Sequence, residues 1–194
     1  TTIEKELSSY YDGSPMFVAL NNNILYARTN NNNINEIDIS NTDAITETPY
    51  ISAQNGISFE HHMSISGNTL IYQIYDNNDS SMRRKVFKKT GNADPERIFG
   101  GDQCCYAHVM LDEKIYAISD YDIYELIDGE YVNRIEIYNN RLNARKTIVY
   151  NNEIYSIKSE SNTIVKLKIS EEQYLDADGN SMGDMFYYAT FEPL

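Results

Sequence analysis

The chain has 194 residues, 41% of them hydrophobic, and carries 29 acidic against 16 basic side chains, a formal net charge of −13. So acidic a surface is a poor match for a phosphate backbone, which is held by a local excess of Lys and Arg, and nucleic acid is not an expected partner. Charged or amide residues break every apolar run well short of the roughly 18 residues that cross a bilayer as a helix, so membrane insertion is not expected.

The first eleven residues include Glu4, Lys5 and Glu6 and lack the apolar stretch of a secretory leader. A start at Thr1 suggests a trimmed chain, with room for further domains of a longer polypeptide. The compartment stays open, with an extracytoplasmic or cell-surface setting favoured.

From there the chain reads as four related units, 12–56, 57–101, 102–140 and 141–194. Each has an apolar strand, a tight polar turn, a strand with an Ile/Leu-Tyr pair, a second turn and a third alternating strand. The first unit shows this in FVALNNNILYART, with Asn21-Asn22-Asn23 as the turn and Ile34, Ile37 and Ile39 on the third strand. The second shows it in MSISGNTLIYQIYD, turning at Gly67-Asn68. It also holds Arg83, Arg84, Lys85, Lys88 and Lys89, read as the charges that keep an edge strand from pairing with a neighbour rather than as a ridge for an acidic partner.

The third unit begins near Cys104 and Cys105, the two cysteines of the chain, and continues through VMLDEKIYAISD with turns at Asp112-Glu113 and Asp128-Gly129. Adjacent cysteines cannot staple distant segments, and buried reduced thiols are expected. The fourth unit, IVYNNEIYSIKSE, turns at Asn151-Asn152 and continues into Ile164, Val165, Leu167 and Ile169. A fourth strand is expected in each unit, around 49–52, 96–99, 131–138 and 185–191. Aligned on Tyr26, Tyr72, Tyr116 and Tyr155, the units repeat at 46, 44 and 39 residues, close to the roughly 40 to 50 residues of propeller blades.

Period-two alternation and β-branched composition make the chain all-β. Four matched units that cannot each bury an apolar face alone point to a β-propeller of about four antiparallel blades, complete or part of a larger ring. A β-sandwich is the alternative. The Ile-Tyr-x-Ile motif, a turn and a following Ile-x-x-Leu/Ile pattern resemble bacterial propellers of unknown function, some with low-density-lipoprotein-receptor-like repeats, and more distantly kelch repeats. The resemblance spans roughly residues 16–192. It implies a propeller used for recognition. The units lack a Tyr-Trp-Thr-Asp motif, the chain has no Trp, and its one Gly-Gly is Gly100-Gly101.

Ligands of propellers gather where the inner strands begin. The alignment brings Tyr11, Glu60, His61, Tyr106, His108 and Arg145 to such positions, with His62, Cys105 and Lys146 beside them. Tyrosines supply flat contact area, and His, Glu and Arg set orientation. The expected function is a non-enzymatic module that binds a protein or glycan. A polysaccharide hydrolase or lyase with carboxylates at the channel mouth, and a structural spacer, are the alternatives. No catalytic residue is singled out. Adjacent strand residues His61 and His62 point to opposite faces, which argues against a histidine metal site. Asp176, Asp178, Asn180 and Asp184 alternate oxygen side chains in a Gly-containing loop and form a calcium candidate. An EF-hand would instead place Gly at Ser181 and Glu at Tyr187.

Overall fold

The computed structural model describes residues 18–29, 32–41, 43–101, 107–137, 141–175 and 181–194, with the backbone alone at 18, 61, 173–175 and 181–186. They form sixteen β-strands in four sheets, each of four consecutive antiparallel strands. This is an all-β fold of β-propeller type, with one up-and-down blade per sheet. No strand crosses from one sheet to another, unlike the Greek-key sandwich that was the alternative. The chain divides into two compact units, Thr1–Gln103 and Cys104–Leu194.

In the first unit, blade 1 is β1 (Val18–Asn21), β2 (Ile24–Arg28), β3 (Ile34–Asp38) and β4 (Thr46–Ile51). Blade 2 is β5 (Ile57–Ser66), β6 (Thr69–Asp76), β7 (Arg84–Thr90) and β8 (Glu96–Gly101). In the second unit, blade 3 is β9 (Ala107–Leu111), β10 (Lys114–Ile118), β11 (Asp122–Ile127) and β12 (Glu130–Glu136). Blade 4 is β13 (Leu142–Tyr150), β14 (Glu153–Lys158), β15 (Thr163–Leu175) and β16 (Ser181–Pro193).

The first hairpin of every blade closes on two residues, where twisted strands demand positive φ. Asn22, Gly67, Asp112, Glu113, Asn151 and Asn152 supply it, as do Asp128 and Gly129 between β11 and β12. Asn, Asp and Gly tolerate that conformation, but Glu113 at φ 66° has no such excuse. Glu113→Gly is therefore expected to stabilise the chain by about 0.5–1 kcal/mol after the added freedom of the unfolded state is subtracted. A thermal melt would show it as a rise in midpoint.

Counting rungs from these turns reveals a slip that the tyrosine alignment hides. Tyr26 pairs with Ala19, Tyr116 with Val109 and Tyr155 with Ile148, each on the third rung. Tyr72 pairs with Met63 on the fourth rung, and the third is Ser64–Ile71. The extra residue is Thr69, and because strand side chains alternate, one residue of slip puts Tyr72 on the opposite face from the other three. We call the odd-rung face A and the even-rung face B.

Within each unit, face A of the first blade packs on face B of the second. In the first unit Ala19, Tyr26 and Ile34 of blade 1 join Met63, Ile65, Leu70, Tyr72 and Ile74 of blade 2 in one core. In the second, Val109, Tyr116, Ile118 and Ile123 of blade 3 join Ile154, Val165 and Leu167 of blade 4. The slip thus has a cause: Tyr72 is a face B residue received by Tyr26 and its neighbours. It stacks on Phe87 at 5.7 Å and meets Phe59 edge-on at 5.6 Å.

In the first unit, the central strands β3 and β6 carry buried residues on both faces. Residues 70–74 on β6 are all buried, and so are Ile34 and Ile37, which point to opposite sides of β3. A sheet with one wet face would leave one of each such pair exposed. The hairpin tips of neighbouring blades are also tied. The Asn21 side-chain amide donates to the Gly67 carbonyl at 2.5 Å, and that of Asn152 to Asp112 Oδ1 at 2.6 Å.

Candidate functional site

Within each unit the first strands of the two blades lie side by side, β1 by β5 and β9 by β13. Both β5 and β13 are bulged. On β5, Phe59 opposes Ile74 and Met63 opposes Tyr72, so residues 60–62 share the single partner Gln73. On β13, Asn143 opposes Ile157 and Ile148 opposes Tyr155, so residues 144–147 share Ser156. Extra residues in one strand break the ladder and re-aim side chains. The re-aimed segments are Glu60-His61-His62 and Ala144-Arg145-Lys146-Thr147.

At the first bulge a small cleft of ≈ 10 Å³ is lined by Arg28 and Ile34 of blade 1 and by Glu60, His62, Tyr72 and Gln73 of blade 2. That is space for about one water. His62 and Gln73 are buried there. Arg84 Nε donates to Glu60 Oε1 at 3.4 Å, so the carboxylate enters the cleft already paired. Burial pushes the Tyr26 and Tyr72 hydroxyls well above the ordinary tyrosine range, Tyr26 with further help from the Glu36 carboxylate.

At the second bulge Arg145 and Lys146 are exposed, while Thr147 is buried and its hydroxyl lies 2.9 Å from that of Ser156. Blade 3 reaches a similar polarity without a bulge. His108 is 2% exposed, sits opposite Ala117, and its Nε2 lies 2.9 Å from the Tyr131 hydroxyl. Tyr131 in turn packs against Tyr124, ring centroids 5.7 Å apart.

No protein-family model matches the chain, and no curated protein matches it. Among solved structures it is similar to the computationally designed protein Ika4, with 15% identity, a TM-score of 0.44, and coverage of 83% of this chain and 96% of that one.

Of the residues expected at the site, Glu60 belongs to the first unit and His108 and Arg145 to the second. Glu60 stands in the β5 bulge, His108 on a regular rung of β9 and Arg145 in the β13 bulge. His61 lies in the β5 bulge, its side chain outside the described residues. Tyr11, Tyr106, Asp176, Asp178 and Asn180, like Cys104 and Cys105, lie outside them altogether, and Asp184 is described in backbone only, on β16. Among the described residues no group of three or more His, Cys, Asp or Glu could hold a metal ion. Arg28, Gln73, Tyr131, Thr147 and Ser156 escaped the sequence reading. Alignment on the turns rather than the tyrosines would have exposed the one-residue slip at Thr69.

The basic run of blade 2 is not on an edge strand. β7 is paired on both sides, with β6 and with β8, so its charges do not guard an edge. They are matched within the blade instead. Lys85 Nζ reaches Asp76 at 2.7 Å and Asp79 at 3.0 Å, and Lys88 reaches Glu96 at 2.9 Å. Lys89 donates to the Ala93 carbonyl and lies 4.8 Å over the Tyr50 ring.

The Lys85 ammonium and the Asn78 amide hold Asp76 below its ordinary value of 3.8, and Ser81, Lys85 and Met82 lower Asp79 further. A carboxyl group depressed by folding stabilises above its unfolded pKa, and that stability is lost as pH falls through the folded one. Unfolding midpoints should therefore drop as pH goes below 3.8. Lys85→Met should make that drop shallower, as a denaturant titration at stepped pH would show.

Proposed function

We propose that the chain is a non-enzymatic recognition module that reads a protein or glycan partner with the polar segments at the start of its first strands. The observation that carries this is the pair of bulges, at residues 60–62 and 144–147, that interrupt otherwise regular ladders and place Glu, His, Arg and Lys there. An uninterrupted strand would be the cheaper way to build a blade, and bulges gather where strands present side chains for use. Arg145 and Lys146 are exposed on their bulge and suit an acidic or hydroxyl-rich ligand. The described carboxyl groups with shifted pKa, Asp38, Asp76, Asp79 and Glu153, all move down, opposite to the direction a general acid needs. The repeat pattern's resemblance to bacterial propellers with low-density-lipoprotein-receptor-like or kelch-like repeats supports the same reading.

Glycan-array binding and pull-downs with the parent chain, and with Glu60→Ala, Arg145→Ala and Lys146→Ala singly, test it. Loss of an anchoring side chain should weaken binding by about tenfold or more. Binding that survives all three changes in folded protein would remove this surface from consideration.

A further inference from the structure

The connection between blades 1 and 2 passes through Gln54-Asn55-Gly56-Ile57, where the chain leaves β4 and enters β5. Ile57 N donates to the Gln54 carbonyl at 3.1 Å and Gly56 has φ 82°, the pattern of a type II turn with glycine in its third place. Two constraints hold glycine there. One is the positive φ. The other is the Asn78 side-chain amide, which would lie 2.5 Å from a Cβ on residue 56 and which donates to the Asn55 carbonyl at 2.9 Å. The Gly56 carbonyl in turn accepts from Asn77 N at 2.9 Å.

The fold therefore obliges a residue without a side chain to follow Asn55, and of all the asparagines in the chain Asn55 alone precedes glycine. A backbone nitrogen attacks the side-chain carbonyl of a preceding asparagine most readily when no Cβ of its own residue crowds the approach. The Asn55 side chain is exposed. Among the described residues neither its amide nor the Gly56 N–H enters a hydrogen bond, because the turn is closed by Ile57 N and clamped through the Asn55 and Gly56 carbonyls. By contrast, the side-chain amides of Asn21, Asn32, Asn35, Asn78 and Asn152 all donate to another group. The nucleophile and the electrophile at Asn55-Gly56 are the groups that the turn leaves uncommitted.

We propose that Asn55 is a site of spontaneous deamidation, a covalent modification that makes the link between blades 1 and 2 acidic. Gly56 N gives up its proton to hydroxide and bonds to Asn55 Cγ. The Cγ–Nδ2 bond breaks, ammonia leaves, and a succinimide remains. Water then opens the ring, at Cγ to give aspartate or at the main-chain carbonyl to give isoaspartate. In the isoaspartate product the main chain runs through the former side chain, and the carbonyl that Asn78 holds becomes a free carboxylate.

Peptide mass mapping of the chain held at mildly alkaline pH, folded and in urea side by side, tests this. In the folded chain the peptide with Asn55 should gain the mass of an amide-to-acid exchange about tenfold faster than any other asparagine peptide. The rate should rise with hydroxide concentration. Asn55→Gln, whose longer side chain would have to close a larger ring, should abolish that gain and leave the far-UV circular dichroism of the parent unchanged. Another asparagine changing first overturns the proposal, as does a mass gain that persists in Asn55→Gln. So does modification of Asn55 in urea but not in the folded chain, which would show that the turn holds the Gly56 nitrogen away from Cγ.

Discussion

Ile154→Ala should unfold the protein at markedly lower denaturant, with a loss of about 2–5 kcal/mol, whereas Ile148→Ala, six residues earlier and chemically identical, should cost a few tenths at most. Ile154 is fully buried on face B of blade 4, packed with Val109, Tyr116 and Ile118 of blade 3. Its truncation loses the transfer energy of three carbons and leaves a cavity between two sheets that cannot both close on it. Ile148 stands on the opposite face, half exposed, and in a single chain its removal vacates nothing. Urea titration of the two variants measures the contrast. Equal midpoints would mean that faces A and B are not differently covered, and the packing rule described above would fail with them.

Thr147→Val is expected to cost about 1–3 kcal/mol although it keeps the side-chain shape, because a buried hydroxyl loses a partner it cannot replace with water. Thr147 and Ser156 are 1% and 2% exposed and their hydroxyls lie 2.9 Å apart, at the bulge that turns β13 away from the regular ladder. Ser156→Ala alone should cost a similar amount. The double variant should be more stable than the sum of the two, since the Thr147–Ser156 bond is lost once rather than twice. A double-mutant cycle on unfolding free energies reads this directly. Additive costs would show that the two hydroxyls are satisfied independently and that the bulge is held by its backbone alone.

The strands and their turns were legible because their causes are local. Alternating β-branched residues suit a pleated surface, and Asn-Asn, Gly-Asn, Asp-Glu and Asp-Gly pairs mark the places where φ turns positive. The fourth strands were legible for the same reason, since stretches such as Glu96–Gly101 stand between clear turn signals. The side on which a residue lands is less local. Tyr72 looks like the counterpart of Tyr26, Tyr116 and Tyr155 in a string of letters, yet Thr69 moves it one rung and so to the other face. The basic residues of β7 read as edge charges because nothing nearby in sequence shows that β8 pairs beyond them.

The site divides along the same line. Glu60, His61 and Arg145 were singled out because polar residues ahead of an apolar strand stand out. Their gathering into bulges, and the partners Arg84, Gln73 and Ser156, depend on pairings that link residues 9 to 24 positions apart.

By itself, the sequence determined that this protein is a fourfold series of antiparallel hairpins with apolar faces in need of cover, since hydrophobic periodicity and turn chemistry act over a few residues. Tertiary structure alone decided which face covers which within each unit, where the ladders bulge, and on which face Tyr72 lands. Those outcomes follow from register and from packing between sheets, where one inserted residue exchanges inside for outside and no local preference records the exchange.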